Sequence, residues 1–280
     1  MQAAISVGVA DVRREPDAAS ELVTQALMGA QAAPGSVRDG WQQVQLVDYA
    51  GWVRAEHLAA PPAGAGAEVI AVTALATPLF HAEEGDAQSD TLYCSTVLPL
   101  AQPSASVGRL AVALPGGEVG RVSAADVAVR PAAQPFPRRD VAFVIETARR
   151  FLGTPYLWGG VTSQGIDCSG FAQLCYRMAG YVLPRDSYQQ FAALATEPQG
   201  EPLPGDLLFF AKARRIVHVA ISMGGGDLIH AEGVTWNEVI QQSMNPRHAE
   251  RHNQRLVELY CGARRVIGAG VGAEIQKSKV

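Results

Sequence analysis

Apolar residues at Val141, Val144, Ile145, Ala148 and Leu152 recur with helical spacing, Asp140 stands where an N-cap belongs, and Gly153 supplies a stop. A second helix begins near Cys168. Its apolar face is Phe171, Leu174, Cys175, Met178 and Ala179, spaced i, i+3, i+4, i+7, i+8, and Gly180 ends it. The period then shortens to that of strands, over 206–210, 216–223 and 227–231. Helices followed by hairpin-linked strands predict an α+β domain with an antiparallel sheet.

Upstream the pattern is that of short strands and frequent turns. Val44 to Val47 and Trp52-Val53 flank Asp48-Tyr49-Ala50-Gly51, a hairpin signal. Leu110 to Leu114 runs through Pro115-Gly116-Gly117 into Val119 to Val122 in the same way. Gly51-Trp52-Val53-Arg54-Ala55-Glu56-His57-Leu58 matches Gly120-Arg121-Val122-Ser123-Ala124-Ala125-Asp126-Val127 as G-x-V-x-A-x-x-apolar, 69 residues apart. A small β unit is therefore repeated, each copy suited to a partly open barrel. Two Pro/Gly/Ala breaks, at 61–66 and 131–138, read as linkers. The expected domains are 1–62, 66–131 and 138–270.

Composition narrows the class of function. Of 280 residues, 48% are apolar and 18% charged, which excludes a disordered chain. A formal net charge of −4 argues against a nucleic-acid groove or a polybasic membrane surface. The N-terminal MQAAISVGVADVRREP lacks the basic and apolar regions of a signal peptide, and no apolar run reaches membrane-spanning length. The expected location is cytoplasmic, although a mature chain cropped of its signal would look the same. Cys94, Cys168, Cys175 and Cys261 form no CxxC pair, so reduced thiols are expected rather than a disulfide framework.

Cys168 stands apart from the other three. At a helix start, unpaired N–H groups and the helix dipole favour a thiolate. A thiol nucleophile needs a base. On the strand over 216–223, His218 faces away from Val217, Val219 and Ile221. If a three-residue loop at Met223 to Gly225 turns the chain, His218 pairs directly with His230 and the two imidazoles share a face. One ring can then orient the other. The competing readings are two surface histidines, or a metal pair for which Asp167 is the only obvious further ligand.

The segments GTPYLWGG (153–160), GIDCSGF (165–171), LPRDSYQQ (183–190), PGDLLFF (204–210) and HVAI (218–221), followed by His230, together resemble the NlpC family of papain-like cell-wall cysteine peptidases. The resemblance implies Cys168 as nucleophile, His218 as general base and His230 as the polar third member. Tyr156 matches the tyrosine beside the nucleophile, and backbone N–H groups at or near Cys168 would serve the oxyanion. The repeated units resemble bacterial SH3-type barrels, with Arg121 standing in the second where a Trp is expected. The fold so implied is a papain-like α+β domain preceded by two small all-β SH3-like barrels.

The whole layout resembles the YkfC-type γ-D-glutamyl-L-diamino-acid endopeptidases that recycle murein peptides. By that likeness Asp167, Ser169, Asp186 and Ser187 bind substrate. Tyr49 and Glu21 are the first barrel's contribution, with Glu15 a competing choice. The implied partner is a murein peptide with a free N-terminal L-Ala, and neither metal nor organic cofactor is required. Two rivals remain: a peptidoglycan-binding protein with a spent catalytic domain, and an acyltransferase or amidase using the same thiol chemistry.

Overall fold

A computed structural model describes residues 2–62, 66–81, 88–101 and 108–268. Residues 63–65 of the first break and the tail ending in Lys277-Ser278-Lys279 lie outside the described residues. The chain divides into two units. One is built from residues up to Phe136 together with Trp158–Ser163; the other comprises Pro137–Leu157 and the described residues from Gln164 onward.

The first unit is all β. Strands β1 (Ala3–Ile5), β2 (Val9–Arg13), β3 (Leu22–Leu27), β4 (Gln31–Arg38), β5 (Trp41–Gln45), β6 (Ala50–Arg54) and β7 (Leu58–Ala59) form a sheet in the order β3-β2-β6-β5-β4-β1-β7. Alternate residues Ala10, Val12, Val44 and Val53 turn inward onto Ile5 and Val23. The β5–β6 turn is Leu46 to Tyr49, closed by Leu46 N–H donating to the Tyr49 carbonyl at 2.7 Å. Val47, expected in the strand, is therefore at the turn tip and 94% exposed.

The second half of this unit holds β8 (Glu68–Val72), β9 (Ala76–His81), β10 (Gln88–Tyr93), β11 (Val97–Pro99), β12 (Arg109–Ala113), β13 (Val119–Ser123) and β14 (Val127–Pro131). Among the described residues they make a β10-β9-β13-β12 sheet and a β11-β8-β14 sheet over one apolar cluster. Met28 joins that cluster, and Asp90 accepts from Gly8 N–H at 2.7 Å, so the two halves share contacts.

The repeated sequence has a physical cause. Gly51 in β6 and Gly120 in β13 both sit where a side chain has no room. A Cβ on Gly51 would lie 2.6 Å from Val12 Cγ1 and 2.7 Å from the Arg13 carbonyl oxygen; one on Gly120 would lie 2.7 Å from Leu79 Cδ1. Val53 and Val122, two residues on, are core residues with no exposure.

The second unit opens with α1 (Val141–Arg150), capped by Asp140, whose carboxylate accepts from Phe143 N–H at 3.1 Å. The helix ends before Leu152, leaving Leu152 45% exposed, while the neighbouring Phe151 is buried against Phe171. The two-residue strand β15 (Val161–Thr162) falls in the segment counted with the first unit; β16 (Gly165–Ile166), α2 (Cys168–Met178) and α3 (Ser187–Ala193) continue the second. The expected apolar face of α2 is buried throughout.

Strands β17 (Leu207–Lys212), β18 (Arg215–Gly224), β19 (Asp227–Glu232), β20 (Glu238–Ser243) and β21 (Tyr260–Arg264) form an antiparallel sheet in the order β20-β19-β18-β17-β21. The six-residue helix α4 (Gln254–Leu259) lies between β20 and β21 in sequence. Strand β17 starts at Leu207 rather than Asp206 because Asp206 is committed to the turn. Its carboxylate accepts from Leu203 N–H and from two nitrogens of Arg265, each at 2.8 Å.

The glycines test the repeat. Gly51→Ala is expected to destabilise the first unit by about 1–3 kcal/mol, because the added methyl meets backbone as well as side chain. Gly120→Ala is expected to cost less, since the Leu79 and Leu114 side-chain ends can yield. Differential scanning calorimetry of the two variants should show that order.

Candidate active site

Helix α2 begins at Cys168 because Asp167 ends the preceding extended segment and caps it. The Asp167 carboxylate accepts from Gly170 N–H at 2.7 Å. That carboxylate is also gripped from the other side. Arg185, with 1% of its side chain exposed, places Nη2 at 2.6 Å from Oδ2 and Nη1 at 3.0 Å from Oδ1. Nη1 also donates to Ser169 Oγ at 3.0 Å, and Ser169 Oγ donates back to Asp167 Oδ1 at 3.2 Å. A forked guanidinium on a carboxylate fixes both groups in one plane. Asp167 and Ser169, expected to bind substrate, thus direct their oxygens into protein and hold the start of the nucleophile's helix.

Cys168 is 8% exposed, and its sulfur is hydrogen-bonded by the backbone N–H groups of Val219 and Ser169. His218 is the residue that precedes Val219 on β18. The expected His218–His230 pairing is realised with a corrected register. Ile221 faces Ile229 and Ser222 faces Leu228, so the strands are offset by two residues from direct pairing of the histidines. The physical reason is the turn. Gly224, Gly225 and Gly226 all take positive φ (85°, 62° and 86°), and a register shift follows Ser222, so Gly224 pairs with Asp227 around a two-residue loop. An offset of two preserves the face, and the imidazoles meet diagonally, His218 Nε2 lying 2.6 Å from His230 Nδ1. His230 is fully buried, which excludes a surface pair. The two rings bond each other rather than converging on a metal. Phe210 lies against the His218 ring at a centroid distance of 5.4 Å.

Tyr156 is held by its N–H on the Asn237 carbonyl at 2.7 Å and lies close enough to Cys168 and Asp167 to feel their charge; burial first, then those charges, raise its hydroxyl pKa. Its ring rests on Gly233, where a Cβ would lie 2.6 Å from Cε1. Asp186 caps α3 in a capping box, its N–H donating to Gln189 Oε1 at 3.1 Å, and Ser187 is the first residue of that helix. The structure brings Tyr156, Asp167, Cys168, Ser169, His218 and His230 together. Tyr49 and Glu21 belong to the other unit. Tyr49 packs on its apolar cluster, and Glu21 accepts from Arg14 at 2.6 Å and from Trp158 Nε1 at 3.1 Å. Of the remaining thiols, Cys94 and Cys175 are buried and Cys261 is exposed.

Sequence reasoning missed Arg185, Glu232 and Gln242. Glu232 is buried and accepts from the N–H groups of Val234, Thr235 and Trp236 at 2.7–2.9 Å, shaping the turn that carries Gly233. Gln242 Oε1 lies 3.1 Å from His230 Nε2. A signal for Gln242 existed: His218, His230 and Gln242 are spaced by twelve residues, as successive antiparallel strands would place them.

Burial and the Asp167 charge push the Cys168 thiol up to about 12, outweighing its two N–H contacts. Burial and the neighbouring His230 hold His218 well below 6.5. Both shifts disfavour the charged forms, against the helix-start position that favours a thiolate. Since His230 occupies Nε2, Nδ1 is the His218 nitrogen open to the thiol proton.

A row of thiol, imidazole and second imidazole on an α+β scaffold is the arrangement of papain-like thiol hydrolases. Residues 153–265 match the NlpC/P60 family, and residues 12–58 match the bacterial dipeptidyl-peptidase Sh3 domain. Residues 153–265 thus carry an NlpC/P60 domain, preceded at 12–58 by a bacterial dipeptidyl-peptidase Sh3 domain. The chain is 43% identical over 91 residues to the gamma-D-glutamyl-L-lysine dipeptidyl-peptidase of Bacillus subtilis (strain 168), an alignment covering 31% of each chain. It is 27% identical over 264 residues to the protein of that name from Bacillus cereus (strain ATCC 10987), covering 89% of this chain and 76% of that one. Among solved structures, an NlpC/P60 family protein from Bacillus cereus ATCC 10987 superposes with a TM-score of 0.85 at 25% identity, over 95% of this chain and 99% of that one. An NlpC/P60 endopeptidase from Photobacterium damselae subsp. piscicida shares the fold at a TM-score of 0.66 and 14% identity, over 87% and 66%.

Two measurements bear on this geometry. Arg185→Met leaves the buried Asp167 carboxylate without its counter-charge and is expected to cost about 3–5 kcal/mol, read as a lowered unfolding temperature. The titration order has its own signature. The thiol pKa lies above the ordinary value of 9.0, so it stays protonated at neutral pH and ionises only as pH rises past that value. Alkylation of Cys168 by iodoacetamide, followed by peptide mass spectrometry, should be slow at pH 7 and still accelerating above pH 9. A rate independent of pH from 5 to 9 would show a preformed thiolate–imidazolium pair.

Proposed function

We propose that this protein is a cysteine peptidase hydrolysing the γ-D-glutamyl–L-diamino acid bond of free murein peptides, L-Ala-γ-D-Glu-diamino acid. The observation that carries the chemistry is the 2.6 Å contact between His218 Nε2 and His230 Nδ1, on the strand whose Val219 N–H holds the Cys168 sulfur. In this reading the Cys168 sulfur bonds the γ-carbonyl carbon while its proton passes to His218. The oxyanion collapses, the C–N bond breaks, and His218 returns the proton to the departing amine. Water, deprotonated by His218, then attacks the thioester; the C–S bond breaks, His218 returns that proton to the Cys168 sulfur, and L-Ala-γ-D-Glu is released. No metal or organic cofactor enters any step.

Two things support the substrate. Two of the relatives above, the Bacillus proteins, are dipeptidyl-peptidases by name, and such an enzyme must recognise a free amino terminus. Burying that ammonium requires a carboxylate acceptor, and Asp186, half-buried at the start of α3, is the one we assign. Loss of one such charge-assisted contact costs about 1.5–3 kcal/mol, roughly ten- to a hundredfold in kcat/KM. Recycling of free peptides in the cytoplasm is the setting that fits this substrate.

The test is to incubate the full chain with L-Ala-γ-D-Glu-L-Lys, its diaminopimelate counterpart and their N-acetylated forms, and to identify products by mass spectrometry. The free peptides should yield L-Ala-γ-D-Glu and the N-acetylated ones little. Asp186→Asn, which keeps the helix cap, should lower kcat/KM on free peptide without gaining the N-acetylated one, and Cys168→Ala should abolish cleavage. Comparable rates on free and N-acetylated peptides would make the protein a hydrolase of wall-attached stems.

A further inference from the structure

The row of polar groups does not stop at Gln242. Gln242 Oε1, which faces His230 Nε2 at 3.1 Å, also accepts from Asn253 Nδ2 at 2.8 Å. Asn253 is the N-cap of α4, and its Oδ1 accepts from Leu256 N–H at 3.3 Å. A backbone N–H can only donate, so the helix fixes Oδ1 as the end of the Asn253 amide that faces it. The other end, Nδ2, is then a donor and fixes Oε1 as the end of Gln242 turned toward it. The same oxygen faces His230, so the proton between them must sit on His230 Nε2. His230 Nδ1 is then a lone pair, and the proton of the 2.6 Å contact must sit on His218 Nε2. That leaves His218 Nδ1 unprotonated toward the thiol, the only tautomer that can act as base.

We propose that Gln242 and Asn253 are positioning residues that set the tautomer of the catalytic histidine, so that the cap of a short helix decides whether His218 can take the proton from Cys168. The inference rests on the thiol–imidazole reading of the site, and not on the identity of the peptide. If Gln242 presented its Nε2 to His230 instead, every donor and acceptor in the row would reverse. His218 would carry its proton on Nδ1, against the thiol, and would be no base.

Asn253→Asp separates the two duties of this side chain. Aspartate caps a helix as well as asparagine does, but it only accepts, so it demands a donor from Gln242 and turns that amide round. Nitrogen-15 NMR of the imidazoles at pH 7.5 reads the tautomers directly. Both His218 and His230 should carry their proton on Nε2 in the unaltered protein and on Nδ1 in Asn253→Asp. The unfolding temperature should be unchanged, KM for L-Ala-γ-D-Glu-L-Lys little altered, and kcat lowered by about a hundredfold or more. In Gln242→Glu the acceptor cannot turn, and the Nε2–H tautomers should be retained. A proton on His230 Nδ1 in the unaltered protein would overturn the proposal whatever the variants do. So would an Asn253→Asp protein that keeps both Nε2–H tautomers. Should the chain fail to cleave the murein peptides while the spectra follow this order, the substrate assignment falls and the tautomer control stands.

Discussion

A buried arginine on a buried aspartate is the constraint from which the catalytic geometry follows. Arg185 cannot leave water without a partner, and Asp167 cannot remain charged at a closed helix end without one. Each is the other's condition for being inside. The pair therefore ties the Leu183 to Asp186 segment to the first turn of α2, and the nucleophile is the first residue of that turn. Ser169 fills the third corner, and Gln190 donates from α3 to the Ser169 and Pro184 carbonyls at 3.0 and 2.9 Å. The neutralised charge fixes the helix start, and the Val219 and Ser169 N–H groups meet the sulfur that it carries.

The sheet supplies the rest of the site by repetition. Three successive strands each place one polar side chain two residues out of direct register with the last, so His218, His230 and Gln242 run diagonally across β18, β19 and β20. A diagonal row suits a twisted antiparallel sheet, where diagonal neighbours come within reach of long side chains. Each ring is held at both nitrogens or against a neighbouring aromatic, which leaves little freedom to be frozen when substrate arrives.

Much of this was legible in the sequence, for different reasons. The face of α2 was plain because Phe171, Leu174, Cys175 and Met178 follow one helical period and a capping residue precedes them. The two histidines were found by parity alone, which survives a register slip of two, whereas the loop length between them was misread because three consecutive glycines admit several turns. Leu152 was placed inside and Phe151 is there instead, because a helix period carries no information past the helix end. Arg185 and Gln242 were invisible for a simpler reason. A polar residue reads as a surface residue unless its partner is known, and Asp167 and Asn253 lie 18 and 11 positions away.

The protonated state of the nucleophile has a consequence for durability. Peroxides attack thiolates, not thiols, and an exposed low-pKa cysteine is lost stepwise to sulfenic and then irreversible sulfinic acid. Burial and the adjacent carboxylate raise the Cys168 pKa and so favour the protonated form. The same desolvation that raises the thiol pKa thus disfavours the ionised form that oxidants attack.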